Sequence, residues 1–154
     1  MKTLLFTLFT CFAISAFAQS NKEDVDFIQA IYGKEKKIIM ADFIKIDGAA
    51  KDAFWKLYDE YEDKRKALGK KRIALLERYV TNYATLDDAT TSELVKETIA
   101  LTEQTDKLVA TYYKKIEKAC GAKPAAQFYE LEAYLLSAVR ANILQNIPFI
   151  GELD

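Results

Sequence analysis

The stretch 54–83 constrains the fold of this chain more than any other, because it contains no proline and only one glycine, Gly69. Its apolar and aromatic residues return every three or four positions, the spacing of one helix face. We predict a single helix about 45 Å long, with Asp47 as its N-cap. A helix of that length needs packed partners along it, so the pattern predicts an elongated molecule. The main apolar row is Phe54, Tyr58, Tyr61, Leu68, Leu75 and Tyr79, beside a second row of Ile73, Leu76, Val80 and Tyr83.

A second long amphipathic stretch follows a short connection at 85–88. Asp87 or Asp88 can cap its first turn, and Gly121 stands just beyond its predicted end at Ala119. Two long helices joined by so few residues bury both apolar stripes only when they lie antiparallel. The sequence therefore predicts a long helical hairpin. The apolar row of the second long helix is Leu94, Leu101, Leu108 and Tyr112.

Two further segments flank the predicted hairpin. Residues 21–44 have helical spacing, as one helix from an Asn21 N-cap or as two shorter helices joined at Gly33. Residues 124–146 form the last predicted helix, with Pro124 in its first turn. The apolar tail 147–150 cannot continue this helix through Pro148, so it packs back onto the bundle or, alternatively, is exposed to a partner. The predicted fold is all-α: an elongated four-helix protein built on a long antiparallel helical hairpin.

The first residues have the pattern of a signal peptide. Lys2 precedes an apolar run from Leu4 to Phe17, and a small-x-small site predicts cleavage after Ala18. The run is shorter than the ~20 residues of a membrane-spanning helix, and Thr10 before Cys11 is unfavourable for lipidation. We predict a signal peptide over 1–18, a single helical domain over 19–154, and a periplasmic or secreted protein without stable membrane insertion.

Composition excludes several classes of function. The chain has 22 basic and 23 acidic residues, and loss of Lys2 leaves 21 against 23, so the near-neutral charge argues against a nucleic-acid partner. It has no histidine, the commonest transition-metal ligand and general base. We therefore expect no enzyme, no metal site and no cofactor. Cys11 lies in the predicted signal peptide, so Cys120 has no cysteine to pair with in the same mature chain. Cys120 is either a small apolar residue at a helix end, or it forms an interchain disulfide in a homodimer.

One face of the long helix alternates aromatic residues with arginines. Arg65 and Arg72 share the row of Tyr58, Tyr61 and Tyr79. They either reach the rim and pair with acids such as Glu97 or Glu103 on the next helix, or form an amphipathic surface for an unfolded chain. The candidate client- or partner-binding residues are Phe54, Trp55, Tyr58, Tyr61, Arg65, Arg72 and Tyr79.

Two blocks of sequence carry a resemblance to a known family. Phe54-Trp55-Lys56-Leu57-Tyr58-Asp59-Glu60-Tyr61-Glu62 is similar to a Phe-Trp-Pro-Leu-Tyr-x-x-Tyr-Glu block, and Lys71-Arg72-Ile73-Ala74-Leu75 to an Arg-Arg-Ile-Ala-Leu block, of small exported proteins common in Bacteroidetes. The chain more broadly resembles the Spy/CpxP type of periplasmic helical protein, which has a Leu-Thr-x-x-Gln motif at helix starts. Here Ile46-Asp47-Gly48-Ala49-Ala50 and Leu86-Asp87-Asp88-Ala89-Thr90 stand at those sites, with Asp in place of the Thr cap.

The resemblance implies an elongated four-helix protein that can dimerise into a shallow cradle and hold unfolding clients without ATP. The expected function is therefore an ATP-independent chaperone-like role in envelope stress, with unfolded proteins as partners. A second hypothesis is an exported regulatory or sensor subunit of an envelope-stress or sigma-factor signalling system, with a signalling protein as its partner. A third is a structural role in the envelope.

Overall fold

A computed structural model describes residues 33–152, and the regular structure among them is entirely helical. Helix α1 is described over 33–43, and three longer helices follow it. These are α2 (Ala49–Asn82), α3 (Asp88–Cys120) and α4 (Ala122–Asn146), with a short 3-10 turn at Tyr83–Thr85 between α2 and α3. Four helices and no strand over 33–152 confirm the predicted all-α four-helix class. The predicted signal peptide 1–18, its cut after Ala18, the Asn21 N-cap and the pattern over 21–32 lie outside the described residues.

Residues Met40–Asp154 form one compact unit, and the contacts described below lie within it. Its frame is the hairpin of α2 and α3. Tyr61 packs on Tyr112 with ring centroids 5.6 Å apart, Arg72 reaches Thr102, and Arg78 reaches Glu97. Along the hairpin, the residue numbers on α3 decrease as those on α2 increase. The two helices are therefore antiparallel, as predicted. Each is about 50 Å long. Over 33–152 no helix has both the length and the apolar character needed to cross a membrane.

The helix ends show which capping predictions were right. The Asp87 carboxylate accepts a hydrogen bond from the Thr90 backbone N–H at 2.8 Å, and this bond holds the pKa of Asp87 below its usual value. Gly121 ends α3 with φ 93°, as predicted. The prediction of Asp47 as the N-cap of α2 is wrong, because Gly48 holds that position with φ 65° and no side chain caps the helix. A positive φ favours glycine, so the chain turns one residue later than predicted.

Helix α4 lies antiparallel to α3 and closes the core. Arg140 binds Asp106 at 2.9 Å near one end of the pair, and the Tyr113 and Tyr129 rings meet at 6.0 Å nearer the other. The aromatic half of the core lies at the α3–α4 turn, and a leucine cluster of Leu75, Leu94 and Leu101 lies nearer the α2–α3 loop. The aromatic half contains Met40, Ile44, Phe54, Tyr58, Tyr61, Val109, Tyr112, Ile116, Ala125 and Phe128.

The tail after α4 packs back onto the hairpin, which is the first of the two alternatives that the sequence left open. The Tyr79 hydroxyl donates to the Pro148 carbonyl at 2.6 Å, and the Tyr83 hydroxyl donates to the Phe149 carbonyl at 2.7 Å. The side chains of Phe149 and Ile150 nevertheless stay 62% and 52% exposed. The tail is thus held by its backbone, while Phe149 and Ile150 keep about half or more of their surface exposed.

Candidate functional site

The candidate site in this unit is an apolar groove between the C-terminal half of α2, the first half of α3, the end of α4 and the tail. We call it the tail groove. Its cavity volume is about 570 Å³, within the range of about 300–1,000 Å³ that small-molecule sites occupy. It is lined by Arg72, Leu75, Leu76 and Tyr79 of α2, Leu94, Val95, Thr98 and Thr102 of α3, Arg140, Ile143 and Leu144 of α4, and 147–150 of the tail.

Helical periodicity explains why these side chains meet. On α2, Arg72, Leu75, Leu76 and Tyr79 are spaced three or four residues apart and therefore share one face. The same holds on α3 for Leu94, Thr98 and Thr102. Side chains of α2 and α3 form one side of the groove, and those of α4 and the tail form the other side. Because α4 ends at Asn146 and the tail turns back at Pro148, a gap lined by apolar side chains is left between them.

The groove is polar at one end and apolar at the other. At the end farther from the α2–α3 loop, the Arg72 guanidinium donates to the Thr102 hydroxyl at 3.1 Å. The Arg140 guanidinium donates to the Asp106 carboxylate at 2.9 Å. Partial burial lowers the pKa of Arg72, the neighbouring charge of Arg140 lowers it further, and Asp106 raises it in part. Arginine is not deprotonated in proteins, so two positive groups and one carboxylate lie together at this end.

The rim of the groove is unusually apolar for a surface. Val95, Leu144, Phe149 and Ile150 all line it and are 43%, 52%, 62% and 52% exposed. Single exposed apolar residues are ordinary, but a contiguous exposed group around a concavity is typical of interaction sites. Tyr134, exposed by 69% on α4, is not among the lining residues.

The residues predicted as a contact surface divide into two groups. Arg72 and Tyr79 line the tail groove. Phe54, Tyr58 and Tyr61 have no exposed surface, so in this structure they lie in the core and not on a contact surface. Their row faces α3 and α4, where Phe128 lies across both Tyr58 and Tyr61.

Trp55 and Arg65 also lie away from the groove. Trp55 is half-buried, with its ring edge-to-face on Phe54 at 5.1 Å and on Tyr58 at 5.5 Å. Arg65 is 9% exposed and is bound at 2.8 Å by Glu62, one turn earlier on the same helix. Of the acids named as possible partners on the next helix, Glu97 is bound by Arg78 at 2.8 Å.

Sequence reasoning missed Arg140, Leu144 and the role of the tail in forming a wall. One signal was present: Arg140 is the only charged residue between 133 and 147. A lone cation in an uncharged amphipathic stretch indicates a specific neighbour or ligand, although it does not say which. The contact with α3 could not be read from spacing alone.

The sequence analysis also made predictions about Cys120 and about metal binding. The Cys120 thiol is half-buried and donates to the Ala50 carbonyl at 3.4 Å, and burial raises the pKa of this thiol. A raised pKa reduces the thiolate fraction that reacts with disulfides. Among residues 33–152, no group of three or more carboxylate or thiol side chains is placed to hold a metal ion.

No protein-family model, no curated protein and no solved structure matches this chain.

Proposed function

We propose that this protein is a periplasmic, ATP-independent chaperone-like protein that binds unfolded clients during envelope stress, and that the tail groove and its apolar rim are the binding surface. The observation that carries the proposal is the contiguous apolar rim of Val95, Leu144, Phe149 and Ile150 around the groove. Apolar area that stays accessible to water in the free protein is available for burial against an apolar segment of another chain.

The tail of the protein supports a polypeptide as the occupant. The hydroxyls of Tyr79 and Tyr83 donate to two successive backbone carbonyls, those of Pro148 and Phe149. Ile147 just before them has extended backbone angles, φ −122° and ψ 143°. Phenol donors that bind the backbone carbonyls of this tail beside an apolar cavity are suited to binding others, since backbone carbonyls occur in every client. Such contacts do not depend on the client's sequence.

The test is suppression of aggregation for two unrelated unfolding clients, at equimolar protein and without ATP. We expect suppression of both, weakened in the Phe149→Ser/Ile150→Ser protein because two rim side chains are lost. The Tyr134→Ser protein is the matched control, since it loses an exposed aromatic side chain outside the groove. Absence of suppression at large molar excess, or equal loss in the control, would contradict the proposal.

A second candidate is an exported regulatory or sensor subunit of an envelope-stress or sigma-factor signalling system. The charged end of the groove favours it, because Arg72 and Arg140 would select one partner rather than many. One protein that co-purifies at fixed stoichiometry, together with no general suppression of aggregation, would support this candidate over the first.

A further inference from the structure

The polar end of the tail groove has more positive than negative charge. Arg72 is bound there to a neutral hydroxyl, that of Thr102 at 3.1 Å. Arg140 is bound to the carboxylate of Asp106 at 2.9 Å, and the side chain of Asp106 is itself 61% exposed to water. Two guanidinium groups therefore share one well-solvated carboxylate. This leaves an excess of one positive charge among the three groups, beside a partly buried apolar surface.

The rest of the groove is apolar and extends along the axis of α2. From Arg72 to Tyr79 the α2 wall extends seven residues, or roughly 10 Å along the helix axis. The side chains beyond the arginines are mainly Leu75, Leu76, Leu94, Ile143 and Leu144. The volume of about 570 Å³ is that of a small-molecule site. An inorganic anion would leave this apolar volume unfilled, and an uncharged hydrocarbon would leave the excess positive charge without a partner.

We propose that the tail groove binds a fatty acid, with its carboxylate on Arg72 and Arg140 and its alkyl chain along the leucine wall toward the tail 147–150. Guanidinium groups form short, charge-assisted hydrogen bonds with carboxylates. The alkyl chain is removed from water against the apolar walls. This binding of a small amphiphile goes beyond the proposed client binding at the groove and its rim.

The experiment is isothermal titration of the purified protein with dodecanoate below its critical micelle concentration. We expect saturable binding at one site per chain. Dodecyltrimethylammonium, which has the same alkyl chain and a cationic head, and acetate, which has the head alone, should not compete for it. If the cationic amphiphile competes as well as dodecanoate, the carboxylate is not recognised and the inference is wrong.

Substitutions locate the site. Arg72→Gln and Arg140→Gln should each weaken dodecanoate binding by about tenfold or more, the effect of losing one charge-assisted hydrogen bond. Lys71→Gln is the matched control, because Lys71 directly precedes Arg72 on α2, carries the same charge and does not line the groove. Equal weakening in Lys71→Gln would show that only the general charge matters, and would overturn the inference.

A further variant keeps both arginines. Leu144 is 52% exposed, so Leu144→Glu should fold while placing a carboxylate on the groove wall, and it should weaken dodecanoate binding. Unchanged binding in this folded variant would contradict the groove as the site. The outcome is separate from the proposed function: a protein that binds dodecanoate but suppresses no aggregation supports this inference alone, and the reverse result supports client binding alone.

Discussion

A buried hydrogen bond joins α2 to α4, and its removal gives a sharp test of the core. The Tyr61 hydroxyl donates to the Glu132 carboxylate with an oxygen–oxygen distance of 2.6 Å, and neither side chain has exposed surface. Tyr61→Phe keeps the ring, which packs edge-to-face on Phe128 at 5.1 Å and on Tyr112 at 5.6 Å. The substitution therefore removes the hydroxyl and leaves the ring packing in place.

The expected cost follows from the kind of bond that is lost. A hydrogen bond to a charged group contributes about 1.5–3 kcal/mol, and a buried acceptor that loses its donor cannot turn to bulk water. We therefore expect Tyr61→Phe to lower the free energy of unfolding by about 2 kcal/mol. The assay is urea denaturation followed by circular dichroism at equilibrium.

The matched control is Tyr113→Phe. It makes the same chemical change and removes a bond of similar length, 2.9 Å from the Tyr113 hydroxyl to Glu117, but this bond lies on the surface. Water replaces a lost surface partner, so we expect no measurable change in the midpoint. A loss below about 0.5 kcal/mol in Tyr61→Phe, or equal losses in both proteins, would refute the argument that this bond joins α4 to α2.

Two further predictions concern pH and a turn. Burial, followed by the charge of Glu132, raises the pKa of Tyr61, whereas the unfolded tyrosine titrates near pH ~10. As the pH rises, the Tyr61 hydroxyl therefore loses its proton first in the unfolded state. The stabilisation of the folded state is complete below pH ~10 and decreases above it by up to about 1.4 kcal/mol per pH unit. Urea denaturation on either side of pH ~10 should show a steeper loss for the unsubstituted protein than for Tyr61→Phe, and equal slopes would contradict the shift. Gly121 has φ 93° and ψ 168° with open space where a Cβ would lie, so Gly121→Ala should cost about 1–3 kcal/mol through backbone strain alone. An unchanged urea midpoint would show that the turn tolerates another conformation.

The helical frame could be predicted because its signals are local. The spacing of apolar residues on α2 and α3, Asp87 as a cap and Gly121 as a stop each depend on neighbours within one or two helical turns. The connection at 85–88 then leaves the antiparallel arrangement as the one that buries both stripes. The Asp47 prediction failed because aspartate is a good N-cap by residue type, whereas Gly48 is chosen by a backbone angle that residue type does not reveal.

The candidate site could be predicted only in part, because three helices and a tail combine to make it. Arg72 and Tyr79 stood out through their row on α2, and both line the groove. The same row includes Tyr58 and Tyr61, which α4 covers, and no periodicity on α2 separates the covered part from the open part. Which part stays open depends on where α4 ends and on the path of the tail after Pro148. Those are tertiary contacts between residues about seventy positions apart.

We propose that unfolded clients contact the tail groove and its rim. Amide hydrogen exchange of the protein, measured with and without an unfolding client at equimolar ratio and without ATP, locates this contact. We expect slower exchange in α4 and the tail over 140–150 and in α2 over 72–79, with little change around 54–61. Unchanged exchange at the groove, or slowing confined to 54–61, would contradict it.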